Sequence, residues 1–96
     1  MGRKRFDHFH VELCCALDEL IPRYALWMEM RERGLRPEEL GNEALLAFFD
    51  GHLNAFLAHR GSGFGPRAHR QLRRRLERYD PRVATPYELM ERLAAC

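Results

Sequence analysis

The stretch GSGFGPRAHRQLRRR, residues 61–75, sets three alternating glycines directly in front of an arginine-dense segment. Two chemistries use such a pattern. One is a glycine loop cradling phosphate with backbone amides, and the other is a cationic helix face that attracts anions. A phosphate-binding glycine loop follows a strand and opens the helix of a βαβ unit, and a Walker loop ends in G-K-S or G-K-T. Here the glycines follow a helical pattern ending Ala58-His59-Arg60, and no lysine comes after them. Gly61 therefore reads as the cap of the preceding helix, with Gly63 and Gly65 as turn residues.

The arginines are the stronger signal. Arg67, Arg70, Arg73, Arg74, Arg75 and Arg78 are opposed locally by a single acid, Glu77. At about 100° per residue, Arg67, Arg70, Arg74 and Arg78 fall within one stripe about 80° wide. Like-charge pairs three and four residues apart cost about 0.2–0.5 kcal/mol each. Arg67 and Arg70 also sit in the first turn, where the helix dipole disfavours cations, so local electrostatics oppose this helix by roughly 1–3 kcal/mol. Compensation can come from internal acids (Glu29, Glu32, Glu38 and Glu39 are candidates), from an acidic protein partner, or from nucleic-acid phosphate. An ordinary solvated face with internal pairs fits the same residues. The stripe Arg67, Arg70, Arg74 and Arg78 is the candidate anion- or partner-binding site, and Phe64 could stack on a base or plug the core. Fifteen of the sixteen basic residues are Arg. That suits bidentate phosphate contacts, although a GC-rich coding sequence produces the same bias.

Histidine and cysteine offer a second constellation. His10 and Cys14 share a flank of the first helix, His8, Glu12, Cys15 and Glu19 form another stripe, and His52 and His59 lie seven apart. Two helices supplying His10, Cys14, His52 and His59 could build a zinc site if their register allowed it. No E-x-x-H, H-E-x-x-H or C-x-x-C spacing occurs, so structural histidines at the core edge are the expectation, with no metal and no cofactor. For nucleophilic catalysis the only hydroxyl residues besides tyrosine are Ser62 and Thr85. Asp18 and Glu19 would raise a nearby thiol pKa rather than lower it. We therefore expect no enzyme.

Composition bounds the rest. The 96 residues suit one domain spanning 1–96, 46% hydrophobic and 31% charged, with a net charge of +2. Residues 1–60 hold eight Lys/Arg against ten Asp/Glu, a balance of −2, while residues 61–96 hold eight against four, a balance of +4. Cys14, Cys15 and Cys96 have no framework spacing, which suggests reduced thiols and a cytoplasmic protein. The basic MGRKR is followed by a stretch broken by acids and histidines, unlike a signal peptide, and no apolar run reaches membrane-spanning length.

The elements that must position these residues are read as an all-α, four-helix domain. A long first helix, residues 7–33, carries Phe6, Phe9, Leu13, Leu17, Leu20, Tyr24, Trp27 and Met28 on one apolar face. Pro22 predicts a kink there, or two successive helices, and Gly34 a stop. A connector with about one helical turn leads to Asn42 as cap of the second helix, residues 43–60. That helix places Leu45, Phe49, Leu53, Phe56 and Leu57 on one side, and Ala44, Ala47, Gly51, Ala55 and Ala58 on the other. Its polar stripe is narrow, which predicts a central helix buried on two sides, with a tight crossing at Gly51. The third helix, residues 66–79, starts at Pro66 and has an apolar seam of Ala68, Leu72, Leu76 and Tyr79. After the turn DPRVA, Thr85, Pro86 and Glu88 form a capping box that opens a short C-terminal helix to about Ala94.

The reading is a non-catalytic protein–protein interaction module that self-associates as a homodimer, because Trp27, Met28, Met30 and a two-sided second helix exceed what so short a chain can cover. The alternative is a nucleic-acid-binding domain using the arginine-rich helix 66–79.

Overall fold

A computed structural model describes residues 2–79, with side chains from residue 4 onward, together with residue 94. Among the described residues the fold is all-α, without a strand. It comprises α1 (Gly2–Leu17), α2 (Arg23–Glu32), a 3-10 turn (Pro37–Glu39), α3 (Asn42–Gly51), α4 (Leu53–His59) and α5 (Pro66–Glu77). The expected turn DPRVA, the capping box at Thr85, the C-terminal helix and Cys96 lie outside the described residues, apart from a helical Ala94. No described helix is long and apolar enough to cross a membrane.

The long kinked first helix is not found; the other outcome expected from Pro22, two successive helices, takes its place. Proline removes a backbone donor and disfavours the helical conformation of the residue before it. The chain leaves α1 at Asp18, which takes a left-handed φ of 52°, and Pro22 restarts it by accepting from the amides of Ala25 and Leu26. Because the direction changes between the two segments, the single apolar face does not survive. Phe6, Phe9 and Leu13 are buried from α1, and Ile21, Leu26 and Met30 from the linker and α2. Leu20 and Tyr24, expected on the core face, are 80% and 73% exposed.

The ends of α1, α2 and α4 share one device. At Gly34 (φ 83°) the Gly34 amide reaches the Arg31 carbonyl and the Leu35 amide reaches Met30. At Gly61 (φ 72°) the same pair of bonds runs from Gly61 to Ala58 and from Ser62 to Leu57. Both are Schellman endings, which glycine adopts without a Cβ penalty. Asp18 ends α1 in the same way, with Asp18 bonded to Cys15 and Glu19 to Cys14. The expected caps at Gly34 and Gly61 are thus present.

The second expected helix is interrupted at His52 (φ −129°), directly after Gly51, and divides into α3 and α4. Its cap residue is Gly41, and Asn42 is already helical. Leu45, Phe48, Phe49, Leu53, Phe56 and Leu57 are buried. The opposite row is not: Ala47, Gly51, Ala55 and Ala58 are exposed, and a Cβ on Gly51 would meet nothing within 4 Å. Burial on two sides and a tight crossing are therefore corrected to burial on one side. The row of small residues buries too little area per turn to compete with the phenylalanines for the core.

α1 packs on the 3-10 turn and on α5, and α3 packs on α4 and α5. The core is a single cluster from Phe6 to Leu76, with Phe64 half-buried against it. α5 begins at Pro66 as expected but ends at Glu77, with Arg78 as its C-cap.

Candidate functional site

α5 is positioned by its apolar seam. Leu72 and Leu76 are buried, and Ala68 and Tyr79 are half-buried. At 100° per residue the centre of that seam lies about 150° from the centre of the stripe of Arg67, Arg70, Arg74 and Arg78. All four arginines are exposed. The remaining two sit on the flanks and are tied to neighbouring helices. Arg73 donates from Nε and a terminal nitrogen to both carboxylate oxygens of Asp50 at 3.0 Å, and it also bonds Glu77. Arg75 reaches Glu12 of α1 at 3.5 Å. The hydrogen bond from Arg73 holds the Asp50 carboxyl below its ordinary value. Among the described residues the ion pairs of α5 use these flanking arginines, and none involves a member of the outward stripe.

The acids offered by the sequence as internal compensation are engaged elsewhere or lie apart. Glu29 pairs with Arg33, and Glu38 and Glu39 pair with Arg36. Glu32 is exposed on α2.

His10 and Cys14 do come together, around backbone. His10 Nε2 donates to the Ile21 carbonyl at 2.6 Å, and the Ile21 amide lies 3.4 Å from Cys14 Sγ. The two side chains stand 3.5 Å apart. Burial pushes the Cys14 thiol up; the hydrogen bond from Ile21 opposes that shift, while Cys15 and Glu19 add to it. His52 and His59 are exposed. Among the described residues no three His, Cys, Asp or Glu side chains gather closely enough to hold a metal ion. His10 and Cys14 instead staple the linker between α1 and α2 to the side of α1.

A polar seam between α1 and α5 was only half legible, as the stripe of His8 and Glu12. Its centre is Arg5, a buried residue that sequence reasoning passed over. Arg5 donates to the Leu76 carbonyl at 2.6 Å and to His8 Nδ1 at 3.3 Å, and lies 4.4 Å over the Tyr79 ring. Burial lowers its pKa to about 10 while Tyr79 opposes the shift, so it stays cationic at neutral pH. His8 is pulled down by desolvation; Glu12 opposes this and Arg5 reinforces it. The available signal was a basic residue one turn before an i, i+4 His–Glu pair.

The outer face of α2 carries an open groove of about 820 Å³ lined by Arg23, Tyr24, Trp27, Met28 and Arg31. Trp27 is held edge-on against Phe6 with ring centroids 5.0 Å apart, and Arg23 pairs with the buried Asp7. Compared with known proteins, the chain matches no family model, no curated protein and no solved structure.

Proposed function

We propose that the chain is a non-catalytic helical interaction module that associates with a second copy of itself through the outer face of α2. The observation that carries this reading is Tyr24, 73% exposed beside half-buried Trp27 and Met28 around the α2 groove. Exposed apolar clusters rimmed by charge mark interaction surfaces, and two-fold dimers are the commonest answer to them. The charge pattern of α2 suits its own copy. Crossed antiparallel about an axis between Trp27 and Met28, two copies set Tyr24 toward Arg31 of the second copy and Arg23 toward Glu32 of the second copy. The first contact is a cation–π pair and the second joins opposite charges.

The absence of catalysis in this reading rests on the candidate nucleophiles. Cys14 is shielded and its thiol raised, and Ser62 donates to both carboxylate oxygens of Glu19, at 3.0 and 2.8 Å. No imidazole is hydrogen-bonded to Ser62 among the described residues.

Light scattering on a sizing column tests the association. A single ten-residue helix buries a small interface, so a dimer is expected at micromolar concentration rather than nanomolar. Tyr24→Glu should elute as a monomer with unchanged helicity. A wild-type chain that stays monomeric at about 100 µM overturns the reading.

A further inference from the structure

We infer that the outward face of α5 is a separate binding surface for the phosphodiester backbone of a nucleic acid, gripped by Arg67, Arg70, Arg74 and Arg78 without regard to base sequence. The four side chains span about 16 Å of helix axis. Arg73 on Asp50 and Arg75 on Glu12 hold the roll of the helix from both sides, with the stripe exposed on the far side from the core. An arginine fork meets phosphate oxygens two at a time. The first turn of α5 holds no acid and its cap residue is Gly65, so the helix dipole adds to the positive field there.

Charge and chemistry select the partner. A protein interface needs an apolar or aromatic centre. The outward positions 67, 70, 71, 74, 77 and 78 are Arg, Arg, Gln, Arg, Glu and Arg. A helix that beds in a lipid surface needs an apolar face to insert, and the apolar face of α5 is in the core. A second copy of this chain is a poor complement as well: Glu12, Glu29, Glu38, Glu39 and Asp50 already pair with arginines of their own chain, and the exposed acids Asp18, Glu32 and Glu43 stand singly on separate segments instead of forming a matching stripe. A phosphate backbone requires cations and nothing apolar, and contacts to it carry no base information.

The test is fluorescence anisotropy with labelled single- and double-stranded DNA of mixed sequence, beside phosphatidylserine vesicles. Four phosphate contacts give a slope of log affinity against log salt near −3.6 for duplex and −2.8 for single strands. Between about 50 and 200 mM salt, affinity should therefore fall about 150-fold for duplex or about 50-fold for single strands. The steeper or shallower value tells which form is held. Arg70→Gln with Arg74→Gln should halve the slope. Arg36→Gln with Arg60→Gln, removing equal charge elsewhere, should leave it. Tyr24→Glu should also leave it, which separates this surface from the self-association of α2. Circular dichroism checks that each variant folds; all of these positions are exposed. No nucleic-acid binding, an unchanged slope in the stripe variant, an equal loss in the control variant, or preference for the vesicles each overturns the proposal.

Discussion

His10 holds the return of the chain between α1 and α2 through one bond to the Ile21 carbonyl, at 2% exposure. A buried acceptor left without its donor costs about 1–3 kcal/mol. His10→Ala should therefore lower the unfolding free energy by about 2 kcal/mol in urea titration. The exposed histidines serve as internal controls: His52→Ala and His59→Ala should change stability by less than about 0.5 kcal/mol. Equal losses at all three positions would contradict the role given to His10. Sequence spacing placed His10 and Cys14 on one flank, and that much held. Their shared partner could not be read, because Ile21 approaches them only after the chain turns at Asp18.

The joint between α1 and α5 is polar where most of the core is apolar, and its response to pH follows from His8. His8 Nδ1 accepts from Arg5, which requires the ring to be unprotonated at that nitrogen. The groups around it are Arg5 and Glu12 on its own helix, with Tyr79 against the ring and Arg75 reaching Glu12 from α5. Desolvation and Arg5 together outweigh Glu12, so the folded-state pKa lies below the ordinary 6.5. The unfolded chain then takes up the proton first as pH falls. Stability from this group is fully present above pH 6.5, and is lost as pH drops through that value toward the lowered folded pKa. Urea midpoints between about pH 5 and 7.5 should show this loss in the wild type and a smaller one in His8→Gln. Parallel curves for the two chains would refute the assignment. The interruption at His52 likewise follows from a local weakness. Gly51 marked a weak point in a continuous apolar pattern, and the helix breaks beside it instead of crossing a neighbour there.

For the whole molecule, residues 66–78 carry six Arg against the single acid Glu77, and Arg67, Arg70, Arg74 and Arg78 concentrate that charge on one outward face of α5. That concentration costs stability in the free chain. Arg70 and Arg74 enter four like-charge pairs, with Arg67, Arg73, Arg78 and each other, at about 0.2–0.5 kcal/mol a pair. Salt screens exposed charges over roughly 10 Å at 0.1 M. The wild type should therefore gain stability between about 10 and 200 mM salt. The double change Arg70→Gln and Arg74→Gln should be more stable at low salt by about 1–2 kcal/mol and should respond less to added salt. Thermal unfolding by circular dichroism measures both. A double variant less stable than the wild type would mean that these arginines hold the fold together.

The sequence by itself determined that the chain is helical, where helices end at Gly34 and Gly61, and which face of α5 is wet. Each follows from a local rule: a period of 3.6, the left-handed freedom of glycine, and 100° of rotation per residue. An angle about a helix axis is set within one turn, so Leu72 and Leu76 had to lie opposite Arg70 and Arg74 wherever α5 docked. Tertiary structure alone decided which arginines are neutralised. Arg73 meets Asp50 and Arg75 meets Glu12 across separations of 23 and 63 residues, and neither pairing is encoded in local spacing. Pro22 already offered a division of the first helix, but tertiary structure turned Leu20 and Tyr24 outward and left the small-residue row of α3 and α4 exposed. Those outcomes depend on which element sits across from a given face, and that depends on how all the apolar faces together fill one core.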